Sequence, residues 1–169
     1  MTKKLTGMAL LVALGTAAGF FPAMPFFGAK LFPVQHAINV LAAVFFGSGP
    51  AVLVAFVIAV LRNLLAVGTV LAFPGGMVGA LVAGLVYRST RRDWAAAIGE
   101  VFGTGVLGAL LSVPLARLIL GNEAVAFTYI IPFTLSSLAG AVAAFVILKI
   151  ISPFSVATDR KPGEKGEYK

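Results

Sequence analysis

Apolar residues fill most of this chain in long runs, and polar residues separate the runs instead of alternating with them. A half-buried strand would alternate apolar and polar positions, whereas a membrane-spanning helix needs about 20 apolar residues in a row. Turns rich in Pro, Gly or charge divide the pattern into six segments, and we predict a helix for each. Their approximate bounds are 5–21, 33–46, 51–67, 73–87, 94–120 and 127–151.

The composition also indicates a membrane environment. The chain has 60% hydrophobic and 11% charged residues and a mean hydropathy of +1.03, whereas soluble domains have about 25% charged residues. We therefore expect an all-α membrane protein with one domain over residues 1–152, a six-transmembrane-helix bundle, followed by a disordered cytoplasmic tail over 153–169. A basic start before an apolar run also describes a secretory signal peptide, but this run is long and further membrane segments follow at once.

The positions of the charges predict the orientation. The net charge of +7 comes from basic residues at segment ends and in the tail, which is typical of a membrane protein and argues against nucleic-acid binding. With a cytoplasmic amino terminus, Lys3, the loop 88–93 and the tail lie inside, while the outer connections carry only Lys30 and Glu123. We therefore expect six spans with both termini in the cytoplasm.

Three polar residues open the short second segment. Pro33 favours the first position of a helix, which puts Gln35, His36 and Asn39 in one sector of its first turns. A helix of about 14 residues is too short for a full span, and such helices are normally covered by protein or line a cavity. We expect this sector to face a polar site instead of lipid.

Polar residues also occur inside the third and fifth segments. Topology places Arg62 and Asn63 at the same outer depth as the second segment, and Glu100 deeper, with Thr104 one turn above it. Charges at membrane depth must face protein or water, so Arg62 and Glu100 have either partners or a ligand; a structural ion pair or a snorkelling Arg remains open.

Catalysis and metal binding have little support. His36 and Glu100 are predicted at different depths and no nucleophile accompanies them, so we expect no enzyme. One His, no Cys and one deep Glu are too few for a metal site. No residue pattern indicates a cofactor.

Two further patterns could serve a ligand. Tyr129 and Phe133 stand four residues apart and could stack on a flat ring, although an interfacial aromatic belt explains Tyr129 equally well. The loop from Phe26 to Phe32, which carries Lys30, could form an apolar lid or dip into the headgroup region.

Small residues repeat every four positions in several segments. Ala9, Ala13 and Ala17 form a smooth stripe along the first segment, and Gly75/Gly79 and Gly99/Gly103 repeat the spacing later. Such stripes allow helices to approach closely, and packing within the bundle is their usual role.

Three blocks of sequence resemble the ThiW family. They are Gly-Ala-Lys-Leu-Phe-Pro-Val-Gln-His-Ala-Ile-Asn at 28–39, Leu-Arg-Asn-Leu at 61–64 with Phe-Pro-Gly-Gly-Met at 73–77, and Gly-Glu-Val-Phe-Gly-Thr-Gly at 99–105. The resemblance covers nearly the whole chain except the tail. It implies a substrate-binding subunit, or S component, of an energy-coupling factor (ECF) vitamin transporter in a prokaryotic plasma membrane.

The resemblance also implies a cargo and partners. The cargo would be hydroxyethylthiazole, a precursor of thiamine, captured outside and released inward as the subunit topples in the membrane. A transmembrane coupling subunit and two ATPase subunits would drive the cycle, since the chain has no P-loop of its own. The stripe Ala9, Ala13 and Ala17 looks like the alanine motif with which S components dock onto the coupling subunit.

The expected site is a small, mostly apolar pocket with a few directed polar groups. His36, Asn39 or Asn63 would donate to the thiazole nitrogen, and Gln35, Glu100 or Thr104 would receive the hydroxyl group. Arg62 would either orient Glu100 or contact an anionic form of the ligand. The predicted substrate-binding residues are Lys30, Gln35, His36, Asn39, Arg62, Asn63, Glu100, Thr104, Tyr129 and Phe133.

Three other functions remain open. The first is the same subunit with thiamine or another small heterocycle as cargo. The second is an autonomous secondary transporter coupled to protons through Glu100 and His36. The third, an intramembrane enzyme, has the least support.

Overall fold

A computed structural model describes residues 2–21, 24–26, 29–121 and 126–158. A 3-10 turn, Ala18–Phe20, extends the first helix. A π-helical segment, Gly103–Gly108, joins α5 to α6 in one continuous helix. The elements are α1 (Thr2–Ala17), β1 (Met24–Phe26), β2 (Ala29–Leu31), α2 (Pro33–Phe46), α3 (Ser48–Leu64), α4 (Ala72–Thr90), α5 (Asp93–Phe102), α6 (Ala109–Leu120) and α7 (Ala126–Thr158).

The predicted helical character is confirmed, since each of the six predicted segments falls on a helix in the described ranges. Two continuous helices there, Asp93–Ile119 and Thr128–Ile151, are long and apolar enough to cross a membrane, and α2 and α3 are apolar but shorter. The count of six spans and the cytoplasmic termini stay predictions. The last helix continues to Thr158, into the stretch predicted as a tail, and residues 159–169 lie outside the described part.

A small hairpin between α1 and α2 is absent from the prediction. β1 and β2 pair antiparallel, with Met24 opposite Leu31 and Phe26 opposite Ala29. Strands of three residues are too short to show an alternating pattern, so the sequence reads as an apolar loop. Phe27, which we predicted as part of a lid, lies outside the described residues.

Helix α2 lies at the centre of the bundle. Every residue from Gln35 to Ala43 is buried, and α3, α4, α5 and α7 all pack against this helix. The apolar residues of this helix point to several sides, and its polar residues are also covered by protein. The expectation that protein covers this short helix is confirmed.

Glycines allow the helices around α2 to approach closely. A Cβ on Gly103 would lie 3.0 Å from the Cα of Gly79, and one on Gly99 would lie 3.3 Å from the Cα of Ala83. These contacts join α4 to α5 and to the π segment, so the glycines of these two helices serve packing inside the protein, as their spacing predicts.

The long fifth segment is irregular at a different place from the one expected. The length of this segment and the proline at position 114, which lies inside α6, predict a tilt or kink near Pro114. The backbone departs from α-helical geometry earlier, in the π segment Gly103–Gly108. Such segments widen the helix by one residue per turn and often occur at functional sites.

Replacement of Gly84 by Ala tests the close packing of α3 on α4. An added Cβ would collide with the backbone of Ser48, which cannot rotate away. We expect Gly84→Ala to lower the free energy of unfolding by about 1–3 kcal/mol, measured as thermal unfolding of the detergent-solubilised protein. Gly49→Ala is the matched control because a Cβ there meets nothing within 4 Å. Equal unfolding midpoints for the two variants would contradict the packing described.

Candidate functional site

The carboxylate of Glu100 is the centre of a buried polar cluster. Its side chain is 0% exposed. Its Oε1 atom accepts hydrogen bonds from His36 Nδ1 at 2.9 Å, Asn39 Nδ2 at 3.1 Å and Thr104 Oγ1 at 2.8 Å. His36 and Asn39 are neighbours on one face of α2, and Thr104 follows Glu100 by one turn. Two remote stretches of sequence thus converge on one oxygen atom.

The backbone of α4 completes the cluster. Asn39 Nδ2 also donates to the carbonyl oxygen of Gly76 at 3.1 Å, and Thr104 Oγ1 lies 3.0 Å from that of Gly75. One turn later, a Cβ on Gly79 would collide with Thr104 Oγ1 and lie 2.8 Å from Glu100 Oε1. The glycines of α4 therefore bring its carbonyl groups, with no intervening side chains, against the polar groups of α2 and α5.

Two acceptor atoms of the cluster have no hydrogen-bond partner among the described residues. They are Glu100 Oε2 and Asn39 Oδ1, and both are buried. The orientation of the Asn39 amide follows from its bonds, because Nδ2 contacts two groups that can only accept. A buried polar atom without a partner costs about 1–3 kcal/mol, so this pair is suited to a ligand that donates hydrogen bonds.

Arg62 forms a second polar group beside the first. The side chain is 3% exposed, Nη1 donates to Gln35 Oε1 at 2.6 Å and Nη2 donates to the Val67 carbonyl at 3.2 Å. The guanidinium carbon lies 4.8 Å from the centroid of the Phe32 ring, a cation–π distance. The chain reverses just after α3, where Val67 N donates to the Arg62 carbonyl at 2.9 Å, and this turn presents the Val67 carbonyl to the guanidinium.

The structure changes the expected roles of Arg62 and His36. Arg62 contacts Gln35, and no contact with Glu100 occurs among the described residues, so a direct role in orienting that carboxylate is not seen. The prediction that His36 and Glu100 lie at different depths is wrong, because their side chains are 2.9 Å apart. The predicted depths rest on a second segment that starts at the membrane surface, whereas α2 is a short helix buried inside the bundle.

Asn63 forms hydrogen bonds within its own stretch of chain, and Lys30 belongs to β2. Asn63 Nδ2 donates to the Ala59 carbonyl at 2.8 Å and to the Thr69 carbonyl at 3.0 Å, which ties the end of α3 to the loop that follows. Lys30 lies in β2, opposite Pro25, and its side chain is outside the described part of the chain. The structure therefore assigns Asn63 local hydrogen bonds and leaves Lys30 a prediction.

The two predicted aromatic residues pack against each other. The ring centroids of Tyr129 and Phe133 are 6.1 Å apart. Tyr129 is buried in a small apolar cluster with residues of α6, and the Phe133 ring lies over Gly75, at the edge of the Glu100 cluster. Phe133 is thus the nearer of the two to the polar groups.

Sequence reasoning missed two contributions. The backbone N–H of Phe32 donates to Ser136 Oγ at 2.8 Å, which ties the end of the hairpin to α7. Ser136 lacks any motif, so nothing in the sequence pointed to it. The carbonyl groups of Gly75 and Gly76 are also invisible to motif reasoning, because a carbonyl is present at every residue and only close approach makes these two available.

The alanine stripe of α1 is exposed. Ala9, Ala13 and Ala17 line an open apolar groove between α1 and α3. Packing within the bundle is therefore not the role of this stripe in the described structure, in contrast to the glycines of α4 and α5.

Comparison with known proteins gives one family. The family model described as thiamine-precursor transporter protein (ThiW) matches residues 5–153. No curated protein matches the chain. Within the described ranges, no three His, Asp or Glu side chains are grouped as a metal site.

Replacement of Glu100 by Ala tests the central role of its carboxylate. The change would leave the donors of His36, Asn39 and Thr104 without their shared acceptor, and breaking such a buried charged group costs about 3–5 kcal/mol. We expect a corresponding loss of thermal stability in detergent micelles. Ser112→Ala is the control, since it removes a buried hydroxyl whose one hydrogen-bond partner among the described residues is the Gly108 carbonyl of its own helix. A loss no larger than that of the control would contradict the arrangement.

Proposed function

The chain belongs to the thiamine-precursor transporter (ThiW) family, and on that premise we propose that it is the S component of an ECF importer that captures hydroxyethylthiazole from outside. Family membership and the apolar helices make it a membrane transport protein with a small-molecule substrate. The particular cargo, the partners and the orientation are the proposal.

The observation that carries the proposal is the pair of unpartnered acceptors at the Glu100 cluster. Hydroxyethylthiazole is a small, neutral, flat molecule with one hydroxyl donor and one ring-nitrogen acceptor. Its hydroxyl group would donate to Glu100 Oε2 or Asn39 Oδ1. A site with a few directed polar groups among apolar helices suits a ligand of this size.

The ring nitrogen needs a donor, and α2 offers one. Gln35 Oε1 accepts from Arg62, so Gln35 Nε2 is the end of that amide that donates. A Cβ on Gly76 would lie 2.7 Å from this Nε2 atom, next to the carbonyl group that Asn39 contacts. Gln35 therefore fits the thiazole nitrogen better than the hydroxyl group that we first assigned to it.

The proposed partners are a transmembrane coupling subunit and two ATPase subunits. The chain has no P-loop, so ATP hydrolysis has to come from other chains. The exposed stripe Ala9, Ala13 and Ala17 offers a smooth surface on which another helix can pack closely. In this arrangement the S component lies in a prokaryotic plasma membrane with both termini in the cytoplasm, as the positive-inside rule favours.

The contact between His36 and Glu100 supports a second candidate of another class. A buried His and carboxylate 2.9 Å apart is an arrangement found in proton-coupled carriers, so an autonomous secondary transporter remains the alternative. Thiamine or another small heterocycle remains the alternative cargo.

Substitutions of Asn39 and Asn63 distinguish the site that the structure indicates from the site that the sequence predicts. Asn39 lies in the Glu100 cluster, while Asn63 bonds to its own loop. We expect Asn39→Ala to weaken hydroxyethylthiazole binding by about 10–100-fold and Asn63→Ala by less than about threefold, measured by isothermal titration calorimetry on the purified protein. If neither variant changes the affinity, the proposed site is wrong; if only Asn63→Ala does, the ligand binds at the end of α3.

A bulky residue in the alanine stripe tests the docking role. We expect Ala13→Trp to leave hydroxyethylthiazole binding intact and to abolish ATP-driven uptake in proteoliposomes containing the coupling and ATPase subunits, because a large ring prevents close helix packing. Ala143→Trp, at an exposed alanine of α7, is the matched control. Uptake by the chain alone, driven by a proton gradient, would instead establish the secondary transporter.

A further inference from the structure

We propose that the acceptor pair of Glu100 and Asn39 makes the site select the free alcohol form of its cargo and reject the phosphorylated form. This inference rests on the proposed function and concerns the chemistry of the same site.

The donors in the cluster are already used. His36 Nδ1, Asn39 Nδ2 and Thr104 Oγ1 all converge on Glu100 Oε1. The second hydrogen of Asn39 Nδ2 is directed to the Gly76 carbonyl, and a threonine hydroxyl has only one hydrogen to give. The buried atoms of the cluster that have no partner among the described residues are Glu100 Oε2 and Asn39 Oδ1, which are both acceptors.

An alcohol and a phosphate ester meet these atoms differently. A hydroxyl group has a hydrogen to donate to a carboxylate oxygen. A phosphate monoester carries about −1.5 to −2 charges at neutral pH and presents oxygen acceptors. Placed against the buried Glu100 Oε2 atom, it would bring like charges together away from bulk solvent.

The buried guanidinium of Arg62 does not offset this repulsion. Arg62 Nη1 and Nη2 are held by Gln35 and by the Val67 carbonyl. The remaining buried nitrogen, Nε, has no partner among the described residues, but it faces the backbone of Gly19, where an added Cβ would lie only 2.8 Å away. That space is too small for a phosphate group, so the unpartnered Nε atom does not mark a phosphate site.

The wall formed by α4 leaves no room for a ligand group on the Oε1 side of the Glu100 carboxylate. On this side a single Cβ at Gly79 would already collide with Thr104 and crowd the Glu100 carboxylate. A tetrahedral group of four heavy atoms is larger than a methyl group. Only the Oε2 side is left for a ligand, where an alcohol can donate a hydrogen bond and a phosphate ester is repelled by its charge.

The experiment compares three ligands on the purified full chain by calorimetry or competition: hydroxyethylthiazole, its phosphate ester, and ethylthiazole, in which hydrogen replaces the hydroxyl group. We expect the phosphate ester to bind at least about 100-fold more weakly than the alcohol. Ethylthiazole, which cannot donate, should bind about 10–100-fold more weakly. A phosphate ester or an ethylthiazole within threefold of the alcohol would overturn the inference.

Glu100→Gln assigns the selectivity to this side chain. An amide keeps the shape and removes the charge, so the preference for alcohol over phosphate ester should fall by about tenfold or more, while Ser112→Ala should leave the preference unchanged. An undiminished preference in a folded Glu100→Gln protein would overturn the role of Glu100. If the variant does not fold, the three ligands on the unmodified protein decide the question.

The two proposals fail in different ways. Binding of none of the three ligands to a folded, monodisperse protein would overturn the proposed function, and this inference with it. Equal binding of alcohol and phosphate ester would overturn only the selectivity and leave the proposed cargo in place.

Discussion

The arrangement of the bundle depends on how one carboxylate oxygen, Glu100 Oε1, is supplied with donors. A charged group inside a membrane protein is costly unless other groups solvate it, and each hydrogen bond to a charged group returns about 1.5–3 kcal/mol. Here the donors come from α2 and from the π segment. Helix α2 therefore has to lie at the centre, and the helix that carries Glu100 has to pack directly against it.

The two polar groups connect α2 to different elements of the bundle. The Arg62 group joins α2 to the turn after α3 and to the hairpin through Phe32. The Glu100 group joins α2 to α4 and α5. Both groups include residues of the first turns of α2, so this part of α2 connects the hairpin and the turn after α3 to the core of the bundle.

The sequence predicted the helices and the polar sector of α2, because long apolar runs mark membrane helices and proline and glycine mark where they begin and end. It could not predict that His36 contacts Glu100, since topology counts whole spans and α2 is not one. It also could not show that Asn39 and Asn63 have different roles. The amide of Asn39 bonds to a remote carboxylate, whereas that of Asn63 bonds to its own loop. The π segment and the hairpin leave no signal in the hydrophobic pattern.

The glycine face of α4 has a consequence for how such a transporter can change its cargo. This face consists of Gly75, Gly76 and Gly79. The carbonyl groups of the first two accept hydrogen bonds from the Glu100 cluster, and a side chain at Gly79 would collide with it. Mutation therefore cannot place a new functional side chain on this face of α4 without disrupting the polar groups of the Glu100 cluster. With the cargo site proposed above, divergence toward a different vitamin precursor has to occur through α2, α5 or the residues around Arg62, so relatives with other cargoes should differ there while α4 stays glycine-rich.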